Sequence, residues 1–195
     1  MIEQFSKIFD GLQAAYGTYK INGRDTKGKA TGKATVVKES RTTETWEAHL
    51  SGQQSIGIIP INEDNECKWG CIDIDEYNFD HQKLLKQLQN AKLPLVVCRS
   101  KSGGAHVFLF TAEFIPAKDM QETLKRLAVS LGYGSCEIFP KQIVLHLERG
   151  DVGNFLNTPY FDHENGLRYA FKADGTAATI EEFFELHEEN VQTHE

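Results

Sequence analysis

In the run Lys68-Trp69-Gly70-Cys71-Ile72-Asp73-Ile74-Asp75-Glu76, two aspartates stand one residue apart among apolar neighbours. On a β-strand, residues i and i+2 share a face, so Asp73 and Asp75 project together while Ile72 and Ile74 enter a core. Two carboxylates held side by side repel, and each raises the other's proton affinity unless a cation neutralises them. Mg²⁺ meets that need, because it favours oxygen ligands and commonly takes one or two carboxylates from a protein. A lone pair of this kind also occurs as exposed acids at a strand end, so the reading turns on what else the chain carries.

A third carboxylate, Glu137, opens the run Glu137-Ile-Phe-Pro-Lys-Gln142, which reads as a short strand ending at Pro140. Between the acids comes Ser102-Gly103-Gly104-Ala105-His106, a polar turn offering a hydroxyl, backbone N–H groups and an imidazole. Three carboxylates can hold two divalent ions about 3.5–4 Å apart, clamping the attacking and leaving oxygens of a phosphoryl transfer. The turn suits a triphosphate: its glycines let backbone amides approach oxygens, and Arg99 or Lys101 adds charge. It joins two strand-like segments, residues 95–98 and 107–110, which excludes a P-loop, whose G-K-[ST] end opens a helix. His106 shares a strand face with Phe108 and Phe110 and is also readable as a core residue; the preceding Ser-Gly-Gly favours function.

Several elements must position these groups. Ile2, Phe5, Ile8, Phe9 and Leu12 repeat at helical spacing and predict a helix over residues 2–14. Residues 22–33 lack periodicity and read as a basic loop. A short amphipathic segment begins near residue 44, and residues 55–60 read as a strand able to pair with the Asp73 strand as a hairpin. Helices are predicted over residues 80–91 and 117–131, and Thr179-x-x-Glu182 is a capping box opening a last helix. The fold class is α+β: an RNA-recognition-motif-like, mainly antiparallel sheet with flanking helices and an N-terminal α/β extension. Residues 1–195 are expected to form a single catalytic domain.

The net charge of −7 is awkward for a nucleic-acid binder, but it is unevenly spread. Residues 18–42 hold seven Lys or Arg against two acids, a net +5, while residues 179–195 form an acidic helix and tail. A local positive groove can bind phosphates while the total stays negative. Cys67 and Cys71 have a spacing conceivable for zinc, but Cys98 and Cys136 are isolated, so small buried thiols are the better reading. The sequence has no bilayer-length apolar run and no signal-peptide core near Met1, so a cytosolic protein without membrane contact is expected.

Three motifs in this order resemble the archaeo-eukaryotic primase superfamily, in particular primase-polymerase domains of phages, plasmids and mobile elements. They are the Ile72-Asp-Ile-Asp75 strand, the Ser100-Lys-Ser-Gly-Gly-Ala-His106 turn, and Cys136-Glu-Ile-Phe-Pro-Lys-Gln142. Gly153-Asn-Phe-Leu-Asn-Thr-Pro159 and Arg168-Tyr-Ala-Phe171 look like the family's C-terminal half, and the likeness spans residues 9–184. The resemblance implies that Asp73, Asp75 and Glu137 bind two catalytic ions, Mg²⁺ or Mn²⁺. It implies that His106, Ser102, Gly103 and Gly104 bind the triphosphate of an incoming NTP or dNTP, with Arg99, Lys101 and Lys141 as phosphate partners. Two departures stand out. Glu137 replaces the aspartate often found in the third motif, and the glycine turn is one residue shorter than in relatives, leaving open whether Gly104 or Ser102 plays the small-residue role.

The expected function is template-directed nucleotidyl transfer, as a DNA primase or polymerase acting on a single-stranded DNA template. Primases that start chains usually need a second, helical domain, expected here from a longer protein or from a partner such as a helicase or a helical primase C-terminal domain. The alternative is a non-catalytic RNA-recognition-motif-like module reading bases with Phe108 and Phe110. A rolling-circle nickase would want a His-x-His pair, and the seven histidines contain none.

Overall fold

The computed structural model describes residues 1–28 and 30–193; Lys29 of the basic segment and residues 194–195 of the acidic tail lie outside them. In chain order the elements are α1 (Ile2–Ile8), β1 (Tyr16–Arg24), β2 (Ala30–Val37), α2 (Thr43–Leu50), β3 (Ile56–Ile58), β4 (Glu66–Ile74) and α3 (His81–Asn90). Next come β5 (Val96–Arg99), β6 (Ala105–Pro116), α4 (Ala117–Leu131), β7 (Glu137–Phe139), a 3₁₀ turn (Leu147–Arg149), β8 (Leu156–Asn157) and α5 (Ile180–Asn190). They build two antiparallel four-stranded sheets, ordered β2-β1-β3-β8 and β5-β6-β4-β7.

The second sheet, with α3 and α4, follows a βαββαβ path and places its first strand, β4, in the middle beside β6. That is the RNA-recognition-motif-like, α+β arrangement expected from the alternation of elements. Alternation along β4 splits its side chains between two cores. Ile72 and Ile74, 1 % and 0 % exposed, join Val107, Leu109, Leu84, Leu88 and Leu124 on the side of α3 and α4. Trp69 and Cys71 face the other way, with Phe108, Phe110, Phe9 and Phe183. Burying each isoleucine contributes about 1.5–3 kcal/mol, so a slip of one residue, which would exchange the faces, is strongly disfavoured.

Three expectations need correction. Helix α1 stops at Ile8 instead of reaching residue 14. Beyond it the chain presses against β3's exit: Leu12 N donates to Ile59 O at 2.9 Å, and a Cβ at Gly11 would sit 2.1 Å from that oxygen. Phe9 and Leu12 are buried as their spacing suggested, but by an extended contact. Second, the stretch expected as a loop over residues 22–33 holds the end of β1, to Arg24, and the start of β2, from Ala30, which pair as a hairpin. Residues 20–28 and 31–36 are all exposed, so no burial imposes alternation on their sequence. Third, β3 does not form a hairpin with β4; it pairs with β1 and β8 in the first sheet.

Candidate active site

Register, more than sequence proximity, assembles the polar groups. Asp73 is paired with His106 on β6 and with Glu137 on β7, and His106 is paired with Cys98 on β5. Directly opposed residues in antiparallel strands point to the same face, so Cys98, His106, Asp73 and Glu137 form one row across all four strands. The row lies on the face that carries Trp69, Phe108 and Phe110, toward the sheet end where β4 runs out.

Within the row, His106 Nε2 is 3.2 Å from Asp73 Oδ1; the imidazole is almost buried and the carboxylate partly so. His106 is therefore neither a pure core residue nor an exposed one: its ring meets Phe108 edge-on on one side and holds the carboxylate on the other. Asp75 lies just beyond the last residue of β4, exposed, and accepts from Ser102 Oγ at 3.3 Å. Glu137 accepts from Lys141 Nζ at 2.8 Å, and both line an open cleft of about 560 Å³ against α4.

The glycine turn is tightly built. Ser100 N donates to Gly104 O and Gly103 N to Ser100 O, at 3.1 and 3.0 Å. Gly103 has a left-handed φ of +89°, and a Cβ at Gly104 would lie 2.1 Å from Ile74 O, so both positions call for glycine for different reasons. The backbone N–H groups of Lys101 and Ser102, both exposed, have no protein acceptor among the described residues, which leaves them available to an anion; Gly104 is buried. Lys101 is turned away from the acids: its Nζ lies 3.1 Å from the centroid of Tyr19 on β1. The Arg99 guanidinium lies along Gly103, where a Cβ would be 3.1 Å from Nη2.

Two supporting residues escaped the sequence reading. His81, at the start of α3, has Nε2 2.8 Å from Gly104 O and stacks on Phe171 at 4.7 Å, so it braces the turn. Ser100 is 5 % exposed, with its hydroxyl 3.5 Å from that of Ser102. No local signal marked His81: it follows the helix-capping Asp80, and only its tertiary contacts with Gly104 and Phe171 reveal the role.

All four cysteines are free, three of them buried, and burial pushes the Cys67 thiol up to about 12. The pair of ring platforms required by the non-catalytic alternative does not exist: Phe108 and Phe110 are 0 % and 1 % exposed, packed against Phe9. No helix among the described residues is long and apolar enough to cross a membrane.

A profile of the family described as the TOTE conflict system, archaeo-eukaryotic primase domain, matches residues 4–192. The chain belongs to this family. No curated protein gives a significant match. Membership in a primase family makes nucleotidyl transfer the general chemistry of this domain.

The carboxylates at this sheet end are donors of the kind a hard divalent ion favours. Asp73, Asp75 and Glu137 supply hard carboxylate oxygens from one sheet end, with Lys141 as the ion-paired cation. Among the described residues no three His, Cys, Asp or Glu side chains are gathered as a formed cage. Mg²⁺ seldom uses such a cage; it is held by one or two carboxylates together with waters and substrate phosphate oxygens.

Proposed function

We propose that this domain is a template-directed nucleotidyltransferase, a DNA primase or polymerase, that joins an NTP or dNTP to a growing strand on a single-stranded DNA template. The observation that carries the reading is the pairing of Asp73 with both His106 and Glu137. It brings three motifs far apart in sequence onto one line.

Asp73, Asp75 and Glu137 would hold Mg²⁺ or Mn²⁺. Such ions supply polarisation of the phosphate under attack and charge neutralisation on the departing pyrophosphate. The chain's own groups do the positioning. The free N–H groups of Lys101 and Ser102 cradle triphosphate oxygens, Gly103 and Gly104 let the turn close tightly beneath them, and the Ser102 hydroxyl lies 3.3 Å from Asp75 Oδ1. His106 Nε2, 3.2 Å from Asp73 Oδ1, packs the ring against the carboxylate and limits its orientation, and its position beside the turn lets it reach a phosphate. Lys141 offsets charge near Glu137 and becomes a phosphate partner when that carboxylate is engaged elsewhere. Preorganised donors of this kind are effective because they do not need to reorient as charge develops.

The direct test is primer extension with Mg²⁺ or Mn²⁺ by wild type and by Asp73→Ala/Asp75→Ala. Synthesis is expected to fall by at least about a thousandfold in the variant, as for loss of a principal charge-stabilising group. Full retention of synthesis would end this reading.

A further inference from the structure

Away from the acidic row, the first sheet borders a cation that no acid among the described residues neutralises. Arg168 Nη1 donates to Ser55 Oγ at 2.9 Å, and the guanidinium carbon lies 5.0 Å from the centre of the Phe161 ring. Among the described residues no carboxylate pairs with it, and burial lowers its pKa to about 10, which still leaves it charged at neutral pH. Arg168 lines a cavity of about 330 Å³ together with Ser55, Phe161, Tyr19 and Lys20. A desolvated guanidinium without a counter-charge is costly, and its fork of donors matches a phosphate better than a point charge does.

The cavity does not end at Arg168. Lys20 on β1 stands directly opposite Lys33 on β2, both exposed, an arrangement that disfavours the hairpin itself. Arg24, Lys27 and Lys38 extend the exposed positive charge along the same ribbon. In the other direction, Tyr19 both lines the cavity and carries Lys101 of the glycine turn on its ring. The cations thus run from the turn, through the cavity and out along a nine-residue strand. From Lys20 to its end at Arg24 that strand runs five residues, about 15 Å at about 3.3 Å per residue, a track suited to successive phosphates more than to one nucleotide.

We propose that the cavity between Arg168 and Lys20 binds a backbone phosphate of a single-stranded polynucleotide, and that the β1–β2 ribbon carries that strand away from the acidic row. The inference rests on the nucleotidyl-transfer reading for the identity of the polyanion. Phe161, against the guanidinium, and Tyr19, elsewhere on the cavity wall, offer ring surface to the sugar or base that accompanies the phosphate.

Fluorescence anisotropy of the full chain with fluorescein-labelled oligothymidylate, over a range of salt concentrations, tests it. Arg168→Gln is expected to weaken binding about tenfold and Lys20→Gln about threefold, each lowering the slope of log K against log salt by about 1. Arg168→Lys, which keeps the charge, recovers part of the loss, and binding of a labelled deoxynucleoside triphosphate is unchanged in all three. Lys20 is exposed, so its variant reports even if Arg168→Gln does not fold. Unchanged oligothymidylate affinity and salt slope in Lys20→Gln and in a folded Arg168→Gln overturns the proposal, as does a loss confined to the triphosphate. Asp73→Ala/Asp75→Ala separates the two readings: it should lose synthesis and keep oligothymidylate binding. Synthesis by that variant would sink the catalytic reading and leave the Arg168 result standing.

Discussion

Replacing Gly104 by alanine should damage the site more than any equally small change in the same turn. The new Cβ would lie 2.1 Å from Ile74 O, 3.2 Å from Ile74 C and 3.3 Å from Ser100 Oγ. The first two are backbone atoms of a central strand, so the turn itself must move, by about 1 Å to restore ordinary contact. Overpacking of this kind costs about 1–3 kcal/mol. The displaced Gly104 carbonyl also accepts from Ser100 N and meets His81 Nε2, and weakening those contacts adds about 1 kcal/mol. A total of about 2–4 kcal/mol corresponds to a drop in Tm of roughly 5–15 °C for a chain of this size. Because Gly104 sits between Ser102 and His106, the same movement should pull the imidazole from Asp73 and reduce primer extension even in the folded fraction. Gly103→Ala is the internal control. Its left-handed φ of +89° costs about 1–2 kcal/mol, but its Cβ meets only the Arg99 guanidinium, which can swing aside. Thermal unfolding and single-turnover extension on both variants decide the matter. If Gly104→Ala melts within a degree or so of wild type, or Gly103→Ala proves the costlier, the steric argument is wrong.

Acid sensitivity should trace in part to His49. It is fully buried, with Nε2 donating to Pro159 O and Nδ1 accepting from Ile56 N, so a second ring proton would face an N–H. Burial lowers its pKa from 6.5 to about 4, with the Arg168 charge adding to the effect and the Pro159 contact opposing it. The unfolded chain therefore binds a proton that the native state refuses; stability falls as pH drops from about 6.5 to 4, by up to about 3 kcal/mol, and levels off below. Urea unfolding at several pH values checks this, and a His49→Leu variant with an undiminished slope over that window would contradict it. Thiol labelling should follow burial: Cys136, half-buried, reacts in the native protein, while Cys67, Cys71 and Cys98 react only on unfolding, their thiols held protonated by desolvation. Mass spectrometry of partly labelled native protein would refute this by finding Cys71 or Cys98 modified ahead of Cys136.

Much of the second sheet was legible because its signals are local. Helix α4 runs Ala117–Leu131, as its apolar spacing and Gly132 indicated, and Gly132 ends it in the left-handed conformation. The capping box at Thr179 forms with Glu182. What failed did so where the deciding partner is remote. Helix α1 stops early because of a contact with Ile59, some fifty residues on, and the β1–β2 ribbon carries no core-facing stripe to announce it. Phe108 and Phe110 looked equally suited to stacking bases or filling a core, and only the layer of α1 and α5 above them decides for the core.

By itself the sequence determined the parts of the acidic site: the i, i+2 spacing of Asp73 and Asp75, the glycines of the turn, and the apolar alternation that forces both isoleucines inward. Those are properties of a few consecutive residues and of strand periodicity. Only the tertiary structure decided their company. That Glu137 comes to Asp73 depends on β7 pairing with the outer edge of β4, and that Lys101 turns to Tyr19 instead of the carboxylates depends on a hairpin from the first sheet. Register between distant strands is set by the packing of whole faces. No short stretch of sequence contains that information, so the row of Cys98, His106, Asp73 and Glu137 exists only once all four strands of the second sheet have paired.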